Sequence, residues 1–243
     1  MTTWDGITYF LILSLLEIVL GIDNIIFISI ISDRLPKDKQ RRARNIGLIM
    51  ALVARLGLLA GVSIIMQMKS VLFSKFGHDF TGQSIVLLLG GLFLIYKSTK
   101  EMYSSVKGHH EEENTGKVTL SGVITQIVLV DVVFSFDSVI SAIGMTNDLA
   151  TETGKDPMII IYLAVIVSMI VMMVFARQIS DFINARPTIK MIALSFLVAI
   201  GVVLIAEGFG EHFPKGYIYF ALVYSLGVEF LNIRMRKNKK AKS

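Results

Sequence analysis

The sequence predicts an all-α membrane protein with seven transmembrane helices, and two observations support that fold class. Of its 243 residues, 53% are hydrophobic and only 18% are charged, whereas about a quarter of an average soluble domain is charged. The hydrophobic residues also form long blocks, and roughly 20 apolar residues are enough for one helix to cross a bilayer. Seven blocks have about that length: 6–31, 44–66, 82–99, 120–145, 158–176, 189–207 and 217–233.

The first block is predicted to be a retained span. No basic region precedes it, and it is longer than the apolar core of a signal peptide. The chain has no Cys, which excludes disulfides, Cys-based zinc sites and thiol catalysis. The blocks contain no constellation of His, Cys, or Ser with a base, so we do not expect an enzyme.

Basic residues are concentrated in alternate connecting segments. Segment 33–44 and the tail 234–243 carry six each, whereas segments 67–81, 146–157 and 208–216 carry one or two. The positive-inside rule then places the N-terminus outside and the C-terminus in the cytoplasm, across a bacterial inner (plasma) membrane. The net charge of +5 comes from the basic residues of the cytoplasmic segments, which set the topology. The expected partner is therefore the lipid bilayer and not nucleic acid.

The first and fourth blocks contain a repeated acidic motif. Glu17 and Asp23 in the first block correspond to Asp131 and Asp137 in the fourth, each 114 positions later (131 minus 17, 137 minus 23). The motif predicts two three-span repeats, 6–99 and 120–207, followed by a seventh helix at 217–233 and the basic tail 234–243. Since three is odd, the second repeat enters the membrane from the opposite side, as in inverted-repeat transporters. We expect these parts to form one transmembrane domain, 1–243.

These intramembrane acids are the candidate site. A carboxylate near the centre of a bilayer is costly, and it usually faces a cavity, a partner or an ion. Local unwinding at Gly21 or Ser135 would let both acids of a span reach one centre. Oxygen ligands of this kind suit Mn²⁺, Mg²⁺ or Ca²⁺ better than Zn²⁺, Cu²⁺ or Ni²⁺. The predicted metal ligands are Glu17, Asp23, Asn24, Asp131, Asp137 and Ser138.

Simpler readings of the charged residues stay open. The acids would serve only to hold helices together if Arg55, Lys97 or backbone donors neutralised them. However, four acids against one mid-span arginine leave an excess of negative charge, and crowded carboxylates hold protons that a metal can displace. Arg55, Lys97 and Glu207 are candidates for counter-charges or gating ion pairs, although snorkelling also explains the last two. Residues 109–113 (His-His-Glu-Glu-Glu) form either a metal-attracting loop or an ordinary solvated one.

The two motif segments resemble the signature pair of the TerC family of integral membrane proteins. They are Leu16-Glu17-Ile18-Val19-Leu20-Gly21-Ile22-Asp23-Asn24 and Asp131-Val132-Val133-Phe134-Ser135-Phe136-Asp137-Ser138-Val139. Further similarity lies in residues 88–94 and 214–220. The resemblance covers about residues 5–234 and implies a seven-span protein of the LysE-like transporter group, whose members are associated with manganese efflux and tellurium resistance. It places the family's acidic motifs on the same six predicted ligands, although some relatives have Asp-Asn where this chain has Asp137-Ser138.

Three functions compete at this point. The first is export of a divalent cation, most of all Mn²⁺, with protons as the candidate coupling ion and without a permanently bound cofactor. The second is a non-transporting factor for membrane assembly or metal loading, which has no evident need for paired intramembrane acids. The third is efflux of an oxyanion or amino acid, for which Arg55 is the only central cation in the predicted spans. The sequence leaves open the metal, the direction, the coupling ion and the oligomeric state, a homo-oligomer included.

Overall fold

The computed structural model is built of long α-helices, as the apolar blocks predict. It describes residues 3–61, 70–75, 78–107, 118–153, 158–211 and 213–240. The helices are α1 Thr3–Leu20, α2 Ile22–Ser32, α3 Lys37–Ala60, α4 Gly82–Lys107, α5 Leu120–Thr153, α6 Met158–Asn184, α7 Pro187–Gly208 and α8 Gly216–Lys240. Two short strands, β1 Val71–Lys75 and β2 His78–Thr81, lie between α3 and α4.

The described helices account for every predicted span. Six segments are long and apolar enough to cross a membrane: Gly6–Ser32, Lys37–Ala60, Gly82–Lys107, Met158–Asn184, Pro187–Gly208 and Gly216–Arg236. The first of these joins α1 and α2 into one span. The apolar part of α5, Leu120–Phe136, is a shorter seventh segment within the described residues. The all-α membrane fold is therefore confirmed.

Several helices extend beyond their apolar blocks. Helix α3 begins at Lys37 and not at residue 44, α4 continues to Lys107 and not to 99, and α6 continues to Asn184 and not to 176. Apolar content marks only the part of a helix inside the hydrocarbon, whereas the backbone hydrogen bonds continue into the polar interface. The extensions carry many of the basic residues on which the topology prediction depends.

A β-hairpin occupies part of segment 67–81, where the sequence predicts only a loop. Strands β1 and β2 pair antiparallel, with Val71 opposite Thr81 and Lys75 opposite His78. The rings of Phe73 and Phe80 stack at 5.0 Å between centroids, a cross-strand contact that stabilises a short hairpin. With strands of only five and four residues, the alternation of apolar and polar side chains is too brief to have predicted the hairpin.

The chain forms two compact units, and each contains helices from both predicted repeats. The first unit comprises residues 1–67 and 116–181, and therefore α1, α2, α3, α5 and most of α6. In it α3 packs closely on α5, where Gly47 faces Ile127: a Cβ at Gly47 would lie 2.7 Å from a methyl carbon of that isoleucine. This unit holds both acidic motifs. That the two units form one transmembrane domain stays a prediction.

The second unit comprises residues 68–115 and 182–243, and its centre is the crossing of α4 and α7. Gly91 and Gly201 face each other at this crossing. A Cβ at Gly91 would lie 2.6 Å from the carbonyl oxygen of Gly201, and a Cβ at Gly201 would lie 2.9 Å from that of Gly91. Each glycine also contacts the isoleucine four residues after the other, Ile205 and Ile95. In the sequence each glycine precedes a charged residue by six positions, Lys97 and Glu207, and reciprocal contacts are expected if the third and sixth spans correspond in the two predicted repeats.

Candidate functional site

The first acidic motif spans a short interruption between α1 and α2. Gly21 lies at the interruption with φ −84° and ψ −4°. Its N–H donates to the carbonyl of Glu17 at 2.9 Å, and its own carbonyl accepts from Ile25 at 3.1 Å. The interruption is therefore a single residue, milder than full unwinding. Gly21 is also in close contact with Met172 of α6, whose sulfur occupies the place that a Cβ would take.

Helix α5 continues without a break through the second motif, so the predicted unwinding is absent at Ser135, and at Gly21 it is reduced to a one-residue turn. The side chain of Ser135 is buried, and its hydroxyl donates to the Asp131 carboxylate at 3.2 Å. This bond joins two side chains of the same helix and uses no backbone donor or acceptor, so it does not compete with the backbone hydrogen bonds of α5. At the position four residues after Glu17 the helix is interrupted at a glycine, Gly21. At the position four residues after Asp131 the residue is a serine, Ser135, and the helix continues.

The carboxylates of the two motifs meet at one arginine. Arg55 of α3 donates from Nη1 to Glu17 Oε2 at 2.5 Å and from Nη2 to Asp131 Oδ1 at 3.0 Å. All three residues are buried, with relative exposures of 2%, 4% and 2% for Arg55, Glu17 and Asp131. Charge-assisted bonds to a guanidinium fork are among the strongest hydrogen bonds in proteins. The predicted role of Arg55 as a counter-charge therefore has a direct geometric basis.

The short polar residues of the motifs reach across to the other half. Asn24 Nδ2 donates to Asp131 Oδ1 at 2.7 Å. The Ser138 hydroxyl donates to the carbonyl of Ser135 at 3.2 Å, and its side chain also faces the Glu17 carboxylate. The acid of each half thus lies beside the polar residue of the other. We refer to Glu17, Asn24, Arg55, Asp131 and Ser138 as the polar cluster.

The carbonyl end of Asn24 is a notable feature of the cluster. Its Oδ1 is buried, and no hydrogen-bond partner for it exists among the described residues. A buried amide oxygen without a partner is energetically costly, and it is also a suitable ligand for a hard cation. The described residues contain no group of three or more His, Cys, Asp or Glu that could hold a metal. Asp23 and Asp137 lie in α2 and α5, but their side chains are outside the described part of the structure.

The other predicted residues belong to the second unit. Lys97 lies over the ring of Phe93, 5.7 Å from its centroid, and Glu207 forms an ion pair of 3.5 Å with Lys215. Their proposed part in gating stays a prediction. Sequence reasoning missed the half-buried ion pair of Lys190 with Glu101, at 3.4 Å. Its only sequence signal was the position of both charges near the ends of apolar blocks. The loop 109–113 lies outside the described residues.

Glu229 is a further buried acid of the second unit, and its hydrogen bonds join two helices. It accepts hydrogen bonds from Thr188 at 2.6 Å and from Asn232 at 3.3 Å. Thr188 lies in the first turn of α7, where the exposed N–H groups and the helix dipole favour a carboxylate. These contacts join α8 to α7 and indicate a role in packing.

Comparison with known proteins places the whole chain among bacterial membrane proteins. The model of the integral membrane protein TerC family matches residues 2–243. A UPF0053 protein of Haemophilus influenzae and the UPF0053 inner membrane protein YgdQ of Escherichia coli K12 are each 46% identical over 227 residues, which is 93% of this chain and 92% of each relative. The UPF0053 inner membrane protein YoaE of Escherichia coli K12 is 40% identical over 97% of this chain, but that match covers only 43% of YoaE. No solved structure matches significantly.

Proposed function

Because the chain belongs to the TerC family of integral membrane proteins, we propose that it is a transporter that exports a divalent metal cation, Mn²⁺ above all, in exchange for protons. The observation that carries this proposal is the meeting of Glu17 and Asp131, one acid from each half, at the buried Arg55. A transport site near the centre of a repeat protein is expected where the two halves meet.

The charge balance favours a site over simple helix adhesion. Glu17 and Asp131 together carry two negative charges when ionised, and Arg55 neutralises one of them. Asp23 and Asp137 add two further acids on the same helical segments. Buried charge of one sign is costly unless a partner, a proton or an ion compensates it. A divalent cation would supply the missing positive charge when it binds, and protons would supply it when the cation is absent.

The ligand chemistry supports a hard cation. The polar cluster offers carboxylate oxygens, the hydroxyl of Ser138 and the amide oxygen of Asn24, which has no partner among the described atoms. Oxygen ligands of this kind suit Mn²⁺, Mg²⁺ and Ca²⁺. The choice of Mn²⁺ and of the outward direction follows the family resemblance.

In this proposal Arg55 competes with the transported cation. Its guanidinium lies between the two carboxylates, and so an entering cation must weaken at least one of these bonds. Once the cation leaves, protons or Arg55 take its place on the acids. This exchange of the cation for protons or Arg55 keeps the net charge of the polar cluster close to constant. It therefore lowers the energetic penalty of moving the cation across the membrane.

An oxyanion carrier is less consistent with the same geometry. Tellurite or another oxyanion would need an available cation, and Arg55 already binds two carboxylates. A non-transporting assembly factor remains a competing function that a flux measurement tests directly.

The proposed orientation has the N-terminus outside and the C-terminus in the cytoplasm. It predicts that a reporter fused after Lys242 is active only in the cytoplasm and that one inserted in 146–157 is active only outside. Reversed reporter signals would contradict both the orientation and the inverted arrangement of the repeats.

The test of function is Mn²⁺ uptake into inside-out vesicles, with and without a pH gradient. Glu17→Gln, Asp23→Asn, Asp131→Asn and Asp137→Asn each remove one charge and keep the shape of the side chain. Each is expected to reduce flux per molecule at least about tenfold, because loss of a charged ligand weakens cation binding by more than about 1.4 kcal/mol.

Asp38→Asn is the matched control, since Asp38 is an exposed acid in the first turn of α3. It should leave flux unchanged. Protein abundance is measured on the same vesicles. Normal flux per molecule in all four variants with reduced abundance would show that the acids only hold helices together.

A further inference from the structure

A second polar feature of the first unit lies away from the polar cluster, between α3 and α6. A cavity of about 190 Å³ separates these helices. One part of its wall is basic and the other part is apolar. The basic residues are Arg41, Arg44 and Arg177, the apolar ones are Met173, Val174 and Ala176, and the neutral polar residues Asn45 and Gln178 complete the wall.

The cavity lies near the polar ends of two membrane-spanning helices. Arg41 and Arg44 are four and seven residues after the start of α3 at Lys37, and Arg177 is seven residues before the end of α6 at Asn184. At about 1.5 Å per residue, these positions are roughly 6–10 Å inside the helix ends. The predicted apolar block of α3 begins at residue 44 and that of α6 ends at residue 176, so these arginines are expected near the boundary between the hydrocarbon and the lipid head groups.

Arg44 provides the deepest positive charge of this wall. It is only 6% exposed, and its Nη1 donates to the neutral hydroxyl of Ser180 at 2.7 Å. The acids whose charges act on it are Asp181 and, more weakly, Asp33. Asp181 pairs with Arg177 at 3.6 Å, and both of those side chains are about two-thirds exposed, so water screens them. Three guanidinium groups against two acids leave an excess of positive charge at the cavity.

The surface beside the cavity is apolar. Val174 and Phe175 of α6 are 58% and 52% exposed, which is expected of side chains that face lipid tails. A ligand that fits here needs an anionic end for the arginines and an apolar end for these side chains. A free anion would satisfy only the first requirement.

We propose that this cavity binds the phosphate of an anionic phospholipid, with the acyl chains along the exposed face of α6. Arginine is well suited to phosphate, because its planar fork donates two parallel hydrogen bonds. Basic pockets between membrane-spanning helices commonly hold anionic head groups. The site is independent of the proposed transport, since it uses none of the residues of the polar cluster.

The test is native mass spectrometry of the purified full chain titrated with phosphatidylglycerol. The double variant Arg41→Gln/Arg177→Gln removes two exposed arginines of the wall and leaves the buried Arg44 in place. Each removal is expected to weaken lipid binding about fivefold. Arg42→Gln is the matched control, because it removes the same charge from an exposed neighbouring position that does not line the cavity.

Three results would overturn the proposal. Equal loss of lipid in Arg42→Gln would mean that binding reflects general surface charge. Equal binding of phosphatidylcholine would mean that the anionic group is not recognised. Full displacement of the lipid by inorganic phosphate at millimolar concentration would assign the cavity to a free anion. Selective loss in the double variant alone, without competition by phosphate, supports the lipid site.

Discussion

The two predicted repeats differ in the residue that lies 38 positions after their first acid. In the first half Arg55 lies 38 residues after Glu17. In the second half the position 38 residues after Asp131 (169 minus 131) is Met169, which is completely buried. Among the described residues, both halves therefore contribute an acid to the polar cluster, and the first half alone contributes a cation. The acids of the two predicted repeats share this one counter-charge among the described residues, and when both are ionised the asymmetry leaves a negative excess that the proposed cation would compensate.

The largest expected effect comes from removing that single cation. Arg55→Gln leaves Glu17 and Asp131 buried together without a positive charge, which should destabilise the protein by about 3–5 kcal/mol. A divalent cation can replace the guanidinium, so Mn²⁺ should raise the melting temperature of Arg55→Gln more than that of the unsubstituted protein. The measurement is thermal unfolding in detergent with and without Mn²⁺.

Arg42→Gln serves as the control for Arg55→Gln because Arg42 is exposed on the same helix. Its melting temperature and its response to Mn²⁺ should match those of the unsubstituted protein. If Mn²⁺ stabilised all three proteins equally, the polar cluster would not be the place where the cation binds.

The second largest effect is expected at the α4–α7 crossing, to which each predicted repeat contributes one glycine. Gly91→Ala and Gly201→Ala would each put a methyl group within 3 Å of the opposite backbone, and backbone cannot move aside as a side chain can. Each substitution should destabilise the α4–α7 crossing by about 1–3 kcal/mol. Gly227→Ala is the control, because a Cβ there meets nothing within 4 Å. Thermal unfolding of the three variants checks this, and a large difference between Gly91→Ala and Gly201→Ala would contradict their equivalence.

The sequence predicted the spans well because apolar length is a local property. The blocks overlap every helix, although their ends differ by up to eight residues where helices continue into the interface, as α4 does to Lys107. The hairpin at β1 and β2 escaped prediction because its stability depends on a few contacts such as Phe73 with Phe80. Strands this short have no periodic signal of their own.

The sequence predicted which residues form the candidate site, but not which hydrogen bonds join them. Buried acids in a membrane are conspicuous, and so the motif identified Glu17 and Asp131, and the mid-span position identified Arg55. No sequence rule specified that Arg55 binds both acids, or that Asn24 donates to Asp131 across 107 residues. Those contacts depend on how α2, α3 and α5 pack. The expected break at Ser135 is wrong for a local reason, since the Ser135 hydroxyl donates to Asp131 one turn earlier in the same unbroken helix.

The smallest expected effect is a change in Mn²⁺ affinity that differs between substitutions at Asn24 and at Ser138, the two polar residues of the motifs. Asn24 donates to Asp131 at 2.7 Å and presents a carbonyl oxygen that has no partner among the described atoms. The Ser138 hydroxyl instead donates to a backbone carbonyl at 3.2 Å, a bond that costs little to lose. Asn24→Ser should therefore weaken Mn²⁺ binding about five- to tenfold, which corresponds to the roughly 1–1.5 kcal/mol of one hydrogen bond. Ser138→Asn should change it less than about threefold.

Equilibrium binding of Mn²⁺ to the purified variants measures this difference between the halves. Asn238→Ser is the control, because it makes the same change at an exposed position near the end of α8. The reciprocal double variant Asn24→Ser/Ser138→Asn exchanges the two polar residues between the halves. If the halves were interchangeable, the double variant would bind Mn²⁺ as tightly as the unsubstituted protein. Since Arg55 lies only in the first half and Asn24 shares Asp131 Oδ1 with it, we expect the double variant to bind as weakly as Asn24→Ser alone.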